Sequence, residues 1–278
     1  MIDRSLSLPA SEPAIRVRGV RHVYRARAGA VSALAGIDLD VPAGELLAIL
    51  GPSGCGKSTL LRMLAGLLEP TAGVVQLAGQ RPAVARASHG IGWLAQDDGL
   101  LPWRTVADNV ALALTLGRRG RAASDRVMAA LEQVRLADAA RRYPGELSGG
   151  MRQRAALARA LVAEPPFLFL DEPFANLDEL TRERLGDLLL DVRAALVAPS
   201  KRPTTLLVTH SVVEAVRLAD RILVLSGRPA RVLDDAAVPL ARPRRYGQPG
   251  FGAWVERLTS ILAGRTTVEP PVRSLVRA

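Results

Sequence analysis

Cysteine is almost missing from this chain. Cys55 stands alone among 278 residues, so no intrachain disulfide can form and a disulfide-stapled secreted scaffold is excluded. That usage points to a cytosolic setting. Long apolar runs are missing too: none reaches the roughly 18 residues that cross a bilayer. Met1 to Pro13 carries acid and proline where a signal peptide would need an apolar core, and reads as a flexible leader. Lysine is nearly absent, with Lys57 and Lys201 the only two among 37 basic residues, so arginine carries almost all of the net charge of +10. With abundant alanine, that bias points to a GC-rich genome. A nucleic-acid binder would gather its charge in one stripe or helix. Here the arginines scatter, and the denser groups at Arg118-Arg119-Gly-Arg121 and Arg242-Pro-Arg-Arg245 lie among glycine and proline, where solvated loops are expected. No internal repeat and no low-complexity tract is visible.

What is present is an ordinary globular composition, 49% apolar, in a chain long enough to bury a substantial core and carry a helical insertion. One glycine run stands out. Gly51-Pro-Ser-Gly-Cys-Gly-Lys-Ser58 fits G-x-x-x-x-G-K-[ST], a phosphate-binding loop. It lies between Leu46–Leu50, which reads as a buried strand, and Ser58 to Leu67, where Leu60, Leu61, Leu64 and Leu67 keep helical spacing. Gly51, Gly54 and Gly56 let backbone N–H groups converge on phosphate oxygens, with Ser53, Cys55 and Thr59 lining the same turn. The helix N-terminus adds its positive dipole end. Lys57 is expected to reach the β- and γ-phosphates and Ser58 to ligate Mg²⁺. Cys55 sits within the cradle, so alkylation is expected to inhibit and Mg-ATP to protect; the competing reading is a small spacer.

Further on, Pro165-Pro-Phe-Leu-Phe-Leu-Asp-Glu-Pro173 reads as a central strand ending in two carboxylates. In an open α/β sheet, ligands sit at the carboxyl ends of the strands. Asp171 therefore suits the Mg²⁺ shell, and Glu172 suits the activation of water. A third strand, Thr205–Thr209, ends at His210, placed to hold a γ-phosphate and keep water and Glu172 in register. His22 and His89 have no such context. A helix from Val213 to Ala219 and a strand from Arg221 to Leu225 follow.

A second glycine turn, Leu147-Ser-Gly-Gly-Met151, opens another helix, expected to begin near Arg152. One nucleoside triphosphate needs one cradle, so this turn implies a γ-phosphate supplied by a partner subunit. With that order of motifs, the chain resembles the ATPase subunits of ATP-binding cassette transporters from about Ile15 to Arg231. The resemblance implies a P-loop NTPase core of α/β class, with a central, mostly parallel sheet, an antiparallel β subdomain and a helical insertion carrying the signature turn. It also implies ATP and Mg²⁺ as ligands. Tyr24 matches the aromatic that stacks on adenine, Gln96 the glutamine that touches Mg²⁺ and reports to the membrane partner, and His210 the switch histidine. Leu147 to Met151, with Ser148, Gly149 and Gly150, matches the signature, and Asn176-Leu-Asp178 the D-loop, with Asp178 at the nucleotide interface. In the family, two such subunits close head to tail over two ATP molecules, and hydrolysis releases the clamp.

The segment from Gln96 to Val110, with Leu100-Leu-Pro-Trp103 beside the glutamine, resembles importer ATPases for nitrate, sulfonates and taurine. Leu100, Leu101 and Trp103 read either as a docking knob for a membrane helix or as internal packing. Val224 to Arg231 fits the same group and also its relatives handling pyrimidine precursors of thiamine. The implied partners are a permease dimer, an extracytoplasmic solute-binding protein acting indirectly, and a second ATPase subunit as a homodimer, with no nucleic acid. The implied place is peripheral, on the cytoplasmic face of the inner membrane. An exporter ATPase is the nearest rival, opposed by Leu100 to Arg104. A DNA-acting relative would need a coiled coil between the motifs, a ribosome-acting one a second cassette, and a P-loop kinase would not need Leu147 to Met151. Departures from the family pattern are Ser211 where an acid is usual, Asn176 in the D-loop, and a lengthened loop at Pro199–Pro203. The expected organisation is a leader at 1–13, the ATPase domain at 14–231 with a helical subdomain at about 97–166, and an Arg/Pro-rich tail at 232–278 with one amphipathic helix from Phe251 to Leu262.

Overall fold

The computed structural model describes residues 12–26, 29–115, 123–195 and 202–265. Two sheets organise the chain. A three-stranded antiparallel sheet has the order β2-β1-β4, from β1 (Ile15–Ala26), β2 (Gly29–Val41) and β4 (Ala72–Leu77). A six-stranded sheet has the order β5-β6-β7-β3-β8-β9. Its members are β3 (Leu46–Leu50), β5 (Ile91–Leu94), β6 (Phe167–Asp171), β7 (Thr204–Thr209), β8 (Arg221–Leu225) and β9 (Val232–Ala237). All pair in parallel except β9, which runs antiparallel to β8.

The strands β3, β6 and β7 are buried along their whole length, which is why they read as unbroken apolar runs. Their side chains alternate across the sheet and divide the core into two. Leu46, Ala48, Leu50, Leu168, Leu170 and Leu207 face one side, where α5 (Gly149–Leu161), α6 (Glu179–Ala194), α7 (Val212–Leu218) and α8 (Phe251–Leu262) pack. Leu47, Ile49, Phe167, Phe169, Leu206 and Val208 face the other, against α1 (Lys57–Leu64) and the antiparallel sheet. The helical insertion lies beyond β5, with α3 (Val106–Thr115) and α4 (Ala123–Gln133) packed on one another and on α5. Short helix α2 (Pro82–Ala87) lies between β4 and β5.

Three readings need correction. The stretch after Arg231 does not leave the domain: β9 completes the large sheet, and α8 buries Phe251, Trp254, Leu258 and Ile261 in the core. The helix itself spans the residues its apolar spacing predicts. Nor is Arg242–Arg245 a solvated loop. Arg244 is buried and donates to the carbonyls of Val216 at 2.8 Å, Val238 at 3.0 Å and Leu240 at 2.9 Å. Arg242 and Arg245 pair with Asp220 at 2.7 Å and Asp187 at 3.0 Å. Buried carbonyls at the end of α7 need donors, and a guanidinium supplies several from one side chain. Lastly, α5 begins at Gly149 rather than near Arg152, because Ser148 caps it by accepting from the Met151 N–H at 3.3 Å. The leader up to residue 11, Arg118–Arg121 and most of the loop before Pro203 lie outside the described residues.

Candidate nucleotide site

The carboxyl ends of β3, β6 and β7 are neighbours, with β7 between the other two. The turn after β3 carries the glycine run, and Gly56 takes φ +125°, a conformation side chains disfavour; a Cβ there would also meet the Ala33 carbonyl oxygen at 3.0 Å. Lys57 is buried and donates to the Gly51 and Pro52 carbonyls at 2.9 and 3.0 Å. Its ammonium lies 3.8 Å from Glu172 Oε1. Ser58 Oγ donates to Asp171 Oδ1 at 2.8 Å. Burial raises the Asp171 carboxyl above its ordinary range, against the opposing Ser58 bond and the charges of Arg62 and Lys57.

Glu172 follows the strand with φ +48°, left-handed for a residue with a side chain, and its N–H donates to Val208 O at 3.0 Å. Strain of this kind is held where function needs a side chain aimed off the strand. The carboxylate meets His210 Nδ1 at 3.1 Å through Oε2. Sequence-distant Lys57, Ser58, Asp171, Glu172 and His210 thus form one connected cluster. Tyr24 stands at its edge, its hydroxyl 3.1 Å from Thr59 Oγ1 and its ring edge-on to buried His22, centroids 4.5 Å apart. Cys55, at 2% exposure, packs into the core beneath the loop rather than into the cradle. That position favours the spacer reading over ready alkylation.

Five expected members stand apart from this cluster. Gln96 is exposed just past β5, and its side chain makes no hydrogen bond among the described residues. Ser148 and Gly149 form an exposed helix N-terminus that no hydrogen bond joins to the Lys57 cluster. Gly150 is close-packed there: a Cβ would lie 2.6 Å from Thr181 Cγ2. Asp178 caps α6, accepting from the Thr181 N–H at 2.9 Å, which holds its carboxylate below the usual range. One chain therefore offers a phosphate cradle and a separate outward anion-seeking helix end.

A model described as ABC transporter matches residues 34–175, spanning the glycine loop, the signature helix and the paired carboxylates. The chain belongs to the ABC transporter family. Similar chains include an aliphatic sulfonates import ATP-binding protein of Mesorhizobium japonicum, 46% identical over 241 residues, covering 85% of this chain and 87% of that one. A second, from Streptomyces avermitilis, is 46% identical over 252 residues, 91% of this chain and 92% of its own. A taurine import ATP-binding protein of Burkholderia pseudomallei is 46% identical over 228 residues, 82% and 85%. The fold is similar to the dimeric post-hydrolysis state of the ATP-binding cassette MJ0796 bound to ADP and Pi, with TM-score 0.70, 29% identity, and 82% of this chain against 100% of that one. This ABC ATPase binds ATP and hydrolyses it to drive transport.

The cassette also makes contacts beside the site that motif matching alone did not indicate. Gln153 donates to the Pro173 carbonyl and Arg182 to Leu177 O at 3.0 Å, so α5 and α6 both hold the segment after Glu172. Glu214 is buried beside the His210 turn and bonds Thr209. Its only sequence signal is Ser211-x-x-Glu214 before an apolar run, the pattern of an ordinary helix start.

Proposed function

We propose that this cassette powers an importer of small sulfonates, aliphatic sulfonates or taurine, working as a homodimer on the inner face of the membrane against a permease dimer fed by a solute-binding protein. Identity of 46% to both sulfonate and taurine import subunits, over four fifths or more of the chain, carries the reading. Lys57 and the loop N–H groups hold the phosphates, and Tyr24 lies against the base. Asp171 and Ser58 fit Mg²⁺: two hard oxygen donors 2.8 Å apart, one a buried carboxyl whose ionised form, disfavoured by burial, a divalent cation would favour. Gln96 joins them when the subunits close. Bound there, the ion offsets phosphate charge. Glu172 takes the proton of the attacking water, and His210, 3.1 Å away, keeps that carboxylate in line. The Ser148–Gly150 helix end and Asp178 complete the site of the opposite subunit.

The surface assigned here to the permease is the turn before α3. Leu100 is buried, but Trp103 is 72% exposed. Asn109, fully buried, braces that turn: it accepts from Leu101 N at 2.7 Å and donates to the Leu101, Arg104 and Thr105 carbonyls. A rigid, exposed indole is suited to a partner helix. The test is reconstitution of the cassette with its co-purified permease and binding protein. ATP turnover should rise with taurine or alkanesulfonates; a response to nitrate alone would overturn the substrate class.

A further inference from the structure

We propose that Glu214 is a positioning residue for ATP hydrolysis, acting through Thr209 and Ser211 to fix the turn that aims His210 at Glu172; this rests on the roles proposed above for those two residues. The geometry departs from an ordinary helix start. In a capping box the third helical residue accepts directly from the cap residue's N–H. Here Ser211 N donates to Thr209 Oγ1 at 3.0 Å, Thr209 donates to Glu214 Oε2, and Glu214 N donates to Ser211 Oγ at 3.3 Å. The three bonds close a ring, and His210 is the residue inside it. Backbone on both sides of His210 is thereby held, and its ring nitrogen meets Glu172 3.1 Å away.

The carboxyl is costly as a mere cap. Glu214 is 9% exposed, and its Oε1 has no hydrogen-bond partner among the described residues. Burying a carboxyl with a free oxygen costs stability, while Ser211 alone would cap the helix. Local rules broken without local gain mark functional sites. Burial pushes this carboxyl up to about 7, with Thr209, Arg182 and His210 opposing and Glu172 reinforcing. The adjoining cavity is also walled by Glu179, Glu183 and Arg217. Arg182 links the arrangement to the D-loop, since its guanidinium also donates to Leu177 O.

The test is steady-state ATP hydrolysis by the full chain with Mg-ATP. Glu214→Ala and Thr209→Val should each lower kcat about tenfold with KM for ATP within about twofold. Glu214→Gln keeps an acceptor for Thr209 and should retain most of kcat. In a His210→Ala background, either change should lower the residual rate by less than about twofold, because the residue they position is gone. Equal losses with and without His210, or no loss from Thr209→Val, overturn the proposal. Thr209→Val nearly conserves volume, so it decides alone if melting shows Glu214→Ala to be unfolded. Two controls separate the failures. Normal turnover in both His210→Ala and Glu172→Gln sinks the catalytic pair and this inference together; loss in both, with Thr209→Val and Glu214→Ala unaffected, sinks this inference only.

Discussion

At the scale of single residues, two carboxylates that influence one another electrostatically are open to separate tests. Glu172 stands half-buried between the Lys57 ammonium and the His210 ring. Glu172→Gln should bind ATP, lose about 100-fold or more in kcat, and accumulate as a nucleotide-dependent dimer in gel filtration. Wild-type turnover would remove it from that role. Glu214 has an ordinary value of 4.5 and a folded value of about 7. Between those values the folded chain binds more protons than the unfolded one, so stability falls as pH rises through the window and stays reduced above it. Glu214→Gln escapes that loss. Its melting temperature relative to the parent should be higher at pH 8 than at pH 5, by the equivalent of up to about 3 kcal/mol. An offset independent of pH would show that Glu214 is not the group responsible.

At the scale of elements, Arg242, Arg244 and Arg245 hold the segment after β9 in place. Arg244 joins the end of α7 to the segment after β9 through carbonyls of Val216, Val238 and Leu240. Arg244→Ala would leave those carbonyls buried and unbonded, so a loss of about 3 kcal/mol in denaturant unfolding is expected. A change under about 0.5 kcal/mol would return the segment to a surface role. The turn before α3 makes the contrasting case. Trp103 is exposed on a turn that Asn109 braces from inside. Trp103→Ala should leave the melting curve in place while cutting co-sedimentation with permease-containing membranes about tenfold. Unchanged co-sedimentation would move docking elsewhere.

At the scale of the whole molecule, the cluster at the ends of β3, β6 and β7 is the phosphate site proposed above. The helix end at Ser148–Gly149 shares no bond with it. Separation of those two halves makes the working unit a pair of cassettes. Among the described residues, no helix is long and apolar enough to cross a membrane. If substrate choice lies with the permease proposed above, mutations throughout this cassette should change rates of uptake while leaving the ranking of solutes untouched. A cassette variant that altered the ranking in reconstituted vesicles would contradict that division.

Much of this was legible before any coordinates. Leu46–Leu50 and Arg221–Leu225 are strands with the bounds their apolar runs predict, and Phe251–Leu262 is a helix with the bounds of its periodic spacing. Glycine, lysine and serine at set spacing mark the cradle because close approach of backbone to phosphate tolerates few alternatives. Such features are local, and local chemistry is written in consecutive residues. Other features were not local. Charge among prolines at Arg242–Arg245 looks solvated in one dimension, since the carbonyls that receive it come from α7 and the end of the sheet. Trp103 and Leu100 have similar apolar weight in sequence, and the packing of α3 and α5 sends one out and the other in. Glu214 follows the pattern of a plain cap, and although its bond to Thr209 is local, the approach of the intervening His210 to Glu172 depends on β6 and β7 lying side by side. Burial and partnership belong to the strand order and the layers around it, because they are set by residues far apart in the chain that folding brings within a few ångströms.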